Sequence, residues 1–301
     1  MNSSATSKPG PLSEPEADAL IIEVQRQLNK DAFDSTDTQL IEQLVEGFND
    51  KRGMKRLAFA EILGRVGKPA TPALIDGLAN HENEVVRRAC AKTMTLIADR
   101  ATIPTLVHAL LNDEDTVVQG SAVGALAVMG EEAAPVLLDI IASDDYPDSS
   151  KGLATWGLSF VGSAGATHLY GSADSDLEEV RSAVVGALTS LVQEDEDPKA
   201  LDLIIKALKD ASSMVRSEAA AALGKLSNKA MVAELVPVLN DGESVVRKTA
   251  AMALMKIGDG GAIAPLRAAL EKEQDEEIQP VLKLAISQLK KKQEEEEDGW
   301  S

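Results

Sequence analysis

The sequence predicts an all-α protein, a right-handed α-solenoid of about eight helix pairs, and three observations predict it. A helical pattern of 13 residues occurs in eight copies, whose second positions follow one another at intervals of 30 to 35 residues. Offsets 4, 7, 8 and 11 from the first residue of each copy are apolar or small nearly throughout, which is typical of one face of an α-helix. A further helical segment precedes each copy. A steady period of this length indicates stacked helix pairs that bury each other's apolar faces.

The copies define the second helix of each pair. Four copies agree closely: "VRRACAKTMTLIAD" (86–99), "VRSAVVGALTSLV" (180–192), "VRSEAAAALGKLS" (215–227) and "VRKTAAMALMKIG" (246–258). Four are weaker: "KRLAFAEILGRVG" (55–67), "VQGSAVGALAVMG" (118–130), "SKGLATWGLSFVG" (150–162) and "IQPVLKLAISQLK" (278–290). Their second positions hold arginine, lysine or glutamine, and in five copies an aspartate stands six residues earlier. We therefore expect a ladder of partly exposed Asp–Arg pairs along the stack, which fixes register and contributes about 0–1 kcal/mol per pair.

The segments before the copies supply the first helices and delimit the domains. Proline lies at or near the start of five of these segments, where its missing N–H costs little, at Pro72, Pro104, Pro135, Pro198 and Pro265. Residues 36–290 then form the solenoid, and "EADALIIEVQRQLNK" begins a capping helix and linker over 16–35. Residues 1–15 are rich in Ser, Pro and Glu and predict a disordered tail. The acidic residues 291–301 predict a second disordered tail.

Composition excludes several classes of function. The net charge of −19, from 49 acidic and 30 basic residues, argues against nucleic acid as a partner. No apolar run approaches the roughly 20 residues of a membrane-spanning helix, so we expect no integral membrane segment and a cytoplasmic location. The single cysteine, Cys90, occupies a core offset and predicts a buried, inert thiol. The three histidines lie on different repeats, so we expect no metal site, no catalytic residue and no intrinsic cofactor.

The region around residues 146–170 concentrates aromatic residues. Four of the eight aromatic residues lie there, at offsets or in loops that the core stripe does not need. Two interpretations remain open at this point: the rings fill a wide gap beside the Gly-rich segment "GSAGATHLYGS", or they form an exposed anchor for a partner or a flat ligand. The second interpretation gives the candidate partner- or ligand-binding residues Tyr146, Lys151, Trp156, Phe160, His168 and Tyr170.

The segments "RRACAKTMTLIAD", "LLNDEDTVVQGSAVGALAVMG", "KGLATWGLSFVG" and "AAALGKL" carry a family resemblance. The architecture resembles HEAT repeats, and the chain over about 36–290 is similar to cyanobacterial HEAT-like proteins of the phycobilin-lyase type. This group includes heterodimeric E/F-type lyases, which attach a linear tetrapyrrole to a cysteine of a phycobiliprotein. It also includes phycobilisome-degradation factors and a protein that associates with an iron–sulfur scaffold.

The resemblance implies two functions of different classes. The first is a non-catalytic adaptor that binds phycobiliproteins or their assembly and turnover machinery. The alternative is a subunit of a phycobilin lyase, or a bilin-handling chaperone, that positions a transiently bound phycobilin near Trp156 for attachment to a phycobiliprotein cysteine. The implied protein partners are a phycobiliprotein, a second HEAT-repeat subunit or an iron–sulfur scaffold. A lyase of this type brings bilin and acceptor thiol together, which is catalysis by proximity, so neither function requires a catalytic side chain on this chain.

Overall fold

The computed structural model describes residues 10–298, and all the regular structure in that range is helical. After α1, its helices alternate between the predicted first and second helices of eight pairs, so the predicted α-solenoid is confirmed. The helices are α1 (Glu14–Asn29), α2 (Thr38–Glu46), α3 (Gly53–Val66), α4 (Thr71–Asn80), α5 (Glu84–Ile97), α6 (Ile103–Asn112), α7 (Thr116–Val128), α8 (Ala134–Ala142), α9 (Asp148–Leu158), α10 (Ala166–Ser172), α11 (Glu178–Asp195), α12 (Pro198–Ala207), α13 (Ser213–Leu226), α14 (Val232–Leu235), α15 (Ser244–Ile257), α16 (Ile263–Lys272) and α17 (Ile278–Asp298).

The chain divides into two compact units. The first contains the residues up to Val136 together with Asp144–Gly157, and the second contains Leu137–Ser143 together with the residues from Leu158 onward. In the first unit the second helices α3, α5 and α7 stack on one another, and each packs against the first helix of its own pair. In the second unit α11, α13, α15 and α17 form the same kind of stack. Each unit is therefore held by contacts between neighbouring helix pairs, as expected for repeats.

Local sequence signals explain where the helices begin. Asp115 caps α7 by accepting hydrogen bonds from the backbone N–H groups of Val117 and Val118, and Asp197 caps α12 in the same way. Pro72 and Pro104 lie in the first turns of α4 and α6, where a proline removes no helical hydrogen bond. Such caps satisfy N–H groups that a helix end leaves without a partner.

The predicted core stripe is buried in both units. In α3 the side chains of Phe59, Ile62 and Leu63 are almost completely excluded from solvent, and in α15 those of Ala250 and Leu254 are fully buried. Small residues in the stripe let second helices approach closely. A Cβ atom added to Gly224 in α13 would lie only 2.8 Å from the Cα atom of Ala253 in α15. The close approach of α13 and α15 therefore depends on glycine at this position.

The predicted ladder is present in part, and its pairs are more buried than the sequence indicated. Three of the five aspartates form rungs, a glutamate forms a fourth, and Asp50 binds Arg52 instead. Arg87 donates to Asp113 from Nε at 2.8 Å and from Nη2 at 3.0 Å, and its Nη1 donates to the carbonyl oxygens of two residues in its own turn. The side chains of the four bidentate rungs are 5–18% exposed. The rungs are Arg87–Asp113, Arg181–Asp210, Arg216–Asp241 and Arg247–Glu273.

The two ends of the chain correct the predicted domain boundaries. Helix α1 begins at Glu14, with Ser13 and Glu16 forming a capping box, so helix replaces the end of the predicted N-terminal tail. Helix α17 continues to Asp298 where the sequence predicted a disordered acidic tail. Lys and Glu are strong helix formers, and Lys291 pairs with Glu295 one turn later at 3.6 Å, which supports the extension. The remaining parts of both predicted tails, 1–9 and 299–301, lie outside the described residues.

Within the described range of 10–298, the structure contains no helix with the length and apolar character of a membrane span. The same residues include no group of three or more His, Cys, Asp and Glu side chains arranged to hold a metal ion.

Cys90 should react slowly with a thiol reagent in the native protein. Its side chain in α5 is fully buried, and burial raises the pKa of the thiol, so the reactive thiolate is both scarce and inaccessible. The absorbance released from a disulfide reagent measures the rate with and without denaturant. The matched control is Lys92→Cys in a Cys90→Ser background, because Lys92 is exposed on the same helix. Labelling of native Cys90 as fast as that control would contradict its core position.

The rung Arg247–Glu273 should make the free energy of unfolding depend on pH in the acidic range. The hydrogen bonds from Arg247 hold the pKa of Glu273 at about 2, below its ordinary value of 4.5. The folded state therefore binds this proton less well than the unfolded state, and the contribution is present above pH 4.5 and lost as the pH falls toward 2. At pH 7 the intact protein should have a larger free energy of unfolding than the variant Glu273→Gln. This difference between the two proteins should shrink by on the order of 2 kcal/mol at pH 3. Urea titrations of both proteins measure it, and a difference independent of pH would contradict the assignment.

Candidate functional site

Three of the six predicted site residues lie in the first unit. Trp156, near the end of α9, is 48% exposed, while Ala154 on the same helix is fully buried. The ring therefore projects from the surface and does not complete the core, which agrees with its place off the apolar stripe. Lys151 is half-buried at the second position of its copy, with Nζ 3.9 Å from Asp144 Oδ1. Tyr146 is half-buried in the segment before α9.

The other three predicted residues lie in the second unit. Phe160, in the turn after α9, is 59% exposed, and His168 in α10 is half-buried. The hydroxyl of Tyr170 donates to the carboxylate of Asp197, and Lys199 Nζ lies 3.9 Å from the centre of its ring. Burial and the bond to Asp197 raise the pKa of Tyr170 to about 12. Tyr170 thus joins α10 to the capped start of α12, which gives it a structural role. The six residues are divided between the two units and do not make up a single site within either.

The second unit also contains a groove that the sequence analysis did not identify. It has a volume of about 930 Å³ and runs across the second helices α13, α15 and α17. Met252 and Leu284 contribute apolar side chains that are 48% and 51% exposed. Four lysines and one acidic residue, Glu295, are among the residues that line it. The lysines are Lys225, Lys256, Lys291 and Lys292.

The residues at offsets 6 and 10 of the repeat copies contain a sequence signal for this groove. Met252 and Leu284 stand at offset 6 of their copies, the offset of Trp156, and Lys225 and Lys256 stand at offset 10, the offset of Phe160. Across the whole chain these offsets hold a mixture of residue types, so the average over eight copies hides the pattern. Comparing only the last three copies brings out a run of apolar and basic residues on one face.

The first unit has a cleft of opposite electrostatic character. Its volume is about 350 Å³, and Glu42, Glu46 and Asp76 are among the residues that line it. His81 Nε2 lies 3.5 Å from Glu46 Oε1 at its edge. Carboxylates repel an anion in a partly buried site, so this cleft suits an anionic ligand less well than the lysine-lined groove of the second unit.

Comparisons with known proteins agree with the repeat architecture. The family pattern of the HEAT repeats matches residues 71–159, 167–241 and 201–287. Among solved structures, Kap121p superposes with a TM-score of 0.54 at 15% identity, over 92% of this chain and 38% of that chain, which is a likeness of fold. The CpcE–CpcF complex of phycocyanin lyase from Nostoc sp. PCC7120 gives a TM-score of 0.32 at 19% identity, over 62% of this chain and 99% of that chain.

A curated relative is more similar in sequence. The bilin biosynthesis protein MpeU from Synechococcus sp. strain WH8020 is 44% identical over 214 residues, which are 71% of this chain and 72% of MpeU. The match thus covers more than two thirds of both chains. The chain therefore belongs to the HEAT-repeat family and, together with MpeU, to its phycobilin-lyase-like group.

Proposed function

We propose that this protein handles bilins, as a subunit of a phycobilin lyase or as a bilin chaperone that positions a linear tetrapyrrole for attachment to a phycobiliprotein cysteine. The observation that carries the proposal is the 44% identity to the bilin biosynthesis protein MpeU. Of the two functions that the sequence left open, this relative favours the alternative over a non-catalytic adaptor. The proposed partners are the acceptor phycobiliprotein and a second HEAT-repeat subunit.

The burial of Cys90 agrees with attachment of the bilin to a cysteine of another protein. A protein that formed its own thioether to a bilin would need an accessible thiolate, and Cys90 is fully buried with a raised pKa. The nucleophilic sulfur then belongs to the acceptor. What remains for this chain is to hold the tetrapyrrole and the acceptor in a reactive arrangement, and proximity of this kind lowers a barrier without a catalytic side chain.

The exposed rings supply a means of holding a conjugated ligand. Trp156 and Phe160 each present about half of their surface to solvent, and an aromatic face stacks well on a flat π-system. A tetrapyrrole is flat and apolar in its conjugated part, so each ring is a candidate contact within its own unit. Tyr146, Lys151 and His168 are half-buried close to these rings in sequence and remain proposed secondary contacts.

Bilin attachment tests the function. The purified protein, alone and with a second HEAT-repeat subunit, is incubated with a free phycobilin and an apo-phycobiliprotein, and the adduct is quantified by absorbance after denaturation. We expect faster attachment, or retention of bilin in a soluble complex, when the protein is present. An acceptor whose cysteine is changed to serine should give no adduct, whereas Cys90→Ser should leave the rate unchanged. Equal rates with and without the protein, and no retained bilin, would refute the proposal. Binding of the apo-phycobiliprotein alone would favour the adaptor.

Trp156→Ala should weaken bilin binding more than it weakens folding. The ring is half-exposed, so its removal costs less than the roughly 2–5 kcal/mol expected for Leu158→Ala, whose side chain is fully buried. A desolvated Trp anchor contributes about 2–4 kcal/mol to binding. Thermal melts and absorbance titrations with a free phycobilin should be made on both variants. If Trp156→Ala melts as early as Leu158→Ala and loses bilin only in proportion to unfolding, then the ring is a packing residue.

A further inference from the structure

We propose that the groove across α13, α15 and α17 is a binding site for a linear tetrapyrrole that carries two carboxylates. Its apolar floor receives the conjugated rings, and its lysines receive the carboxylates. The ligand class rests on the proposed function, whereas the location and the mode of recognition rest on the groove itself.

The floor of the groove is apolar and built from closely packed helices. Gly224 allows α13 to approach α15 so closely that a Cβ atom there would meet Ala253. Met252 and Leu284 lie at the same offset of successive second helices, and each leaves about half of its surface exposed. Exposed large apolar side chains in a concavity are typical of a ligand site. Methionine is also flexible and polarisable, so it adapts to the edge of an aromatic ligand.

The lysines give the groove a charge opposite to that of the protein. The chain carries −19 overall, yet four lysines and one glutamate are among the residues lining this groove. Lys225 Nζ lies 3.5 Å from Glu218, and Lys291 Nζ lies 3.6 Å from Glu295, in pairs whose lysine side chains are 50% and 71% exposed. Exposed pairs of this kind are weak. A ligand carboxylate can therefore replace the glutamate at small cost.

The dimensions favour a small molecule over a protein segment. A volume of about 930 Å³ lies within the roughly 300–1,000 Å³ of small-molecule sites. A stable protein interface needs about 800 Å² of surface from each partner, which a single groove between three helices does not supply. The lysines lie on α13, α15 and α17, so a ligand with two carboxylates can contact lysines of more than one helix. The acidic cleft of the first unit offers no comparable match.

The test compares biliverdin, a linear tetrapyrrole with two propionates, with its uncharged dimethyl ester. Absorbance titrations are made on the intact protein, on Lys225→Gln/Lys256→Gln and on the control Lys206→Gln/Lys229→Gln. The control removes two exposed lysines of the same unit that do not line the groove. We expect the groove variant to bind biliverdin about tenfold more weakly and the ester about as well as the intact protein does, since each lost ion pair weakens binding by a few fold. Met252→Ala should weaken binding of both ligands.

Each outcome has a definite meaning. Loss of biliverdin affinity confined to the groove variant, with the ester unaffected, supports the site. Binding of biliverdin that is equal in the intact protein and both lysine variants overturns the site but leaves the proposed function standing. Failure of the intact protein to bind either ligand overturns the site, and the attachment assay with the second HEAT-repeat subunit then decides the proposed function separately. Binding of a poly-glutamate peptide in place of biliverdin would assign the groove to an acidic protein segment and also overturn the proposal. Melting temperatures equal to that of the intact protein show that the variants are folded.

Discussion

Four bidentate ion pairs fix the register of the helix pairs that they join, each between an arginine at the start of one second helix and the carboxylate in the turn of the next pair. In each of the four rungs the carboxylate also accepts a backbone N–H two residues later in its own turn, as Asp241 does from Glu243. The arginine in turn binds two carbonyl oxygens of the preceding turn. A rung therefore connects two turns through groups that burial would otherwise leave unsatisfied. Net stabilisation by buried ion pairs is small, and the main consequence is a fixed register between neighbouring pairs.

Register decides which side chains meet on the exposed face of the second helices. The rungs Arg216–Asp241 and Arg247–Glu273 join the turns next to α13, α15 and α17, so a slip of one helix would separate Met252 from Leu284. The two rungs thus support the register in which the groove residues come together. Three copies have no arginine at the second position, where Gln119, Lys151 and Gln279 stand instead. The two glutamines keep the carbonyl contact, at 2.8 Å from Asp113 O and 3.0 Å from Glu273 O, but lack the charged fork. The division between the two units falls within the copy that carries Lys151 and Trp156.

Periodicity made the fold predictable, because a helix in a repeat needs only a stripe of apolar or small residues and a cap, and both are visible in one sequence. The core positions Phe59, Cys90 and Leu254 follow directly from their offsets. The extent of α17 did not follow, since a run of Lys and Glu is equally typical of a solvated tail and of an exposed helix. Sequence placed Trp156 and Phe160 off the core but left their exposure open, because that depends on neighbouring helices. The groove requires side chains from three repeats at a known register, and no single stretch of sequence contains that information.

The charge of the protein constrains how it can act on its proposed ligand. At −19, the chain repels both a dicarboxylated tetrapyrrole and a phycobiliprotein, which is acidic as a class. This repulsion is screened beyond about 8 Å at physiological ionic strength, so it slows encounter but does not oppose contacts that have formed. Affinity at the groove must then come from short-range features, namely its apolar floor and its lysines. These contacts act over a few ångströms, so they hold a tetrapyrrole that has entered the groove but do not attract it from a distance. The net charge therefore limits the rate of encounter, and the groove determines the affinity.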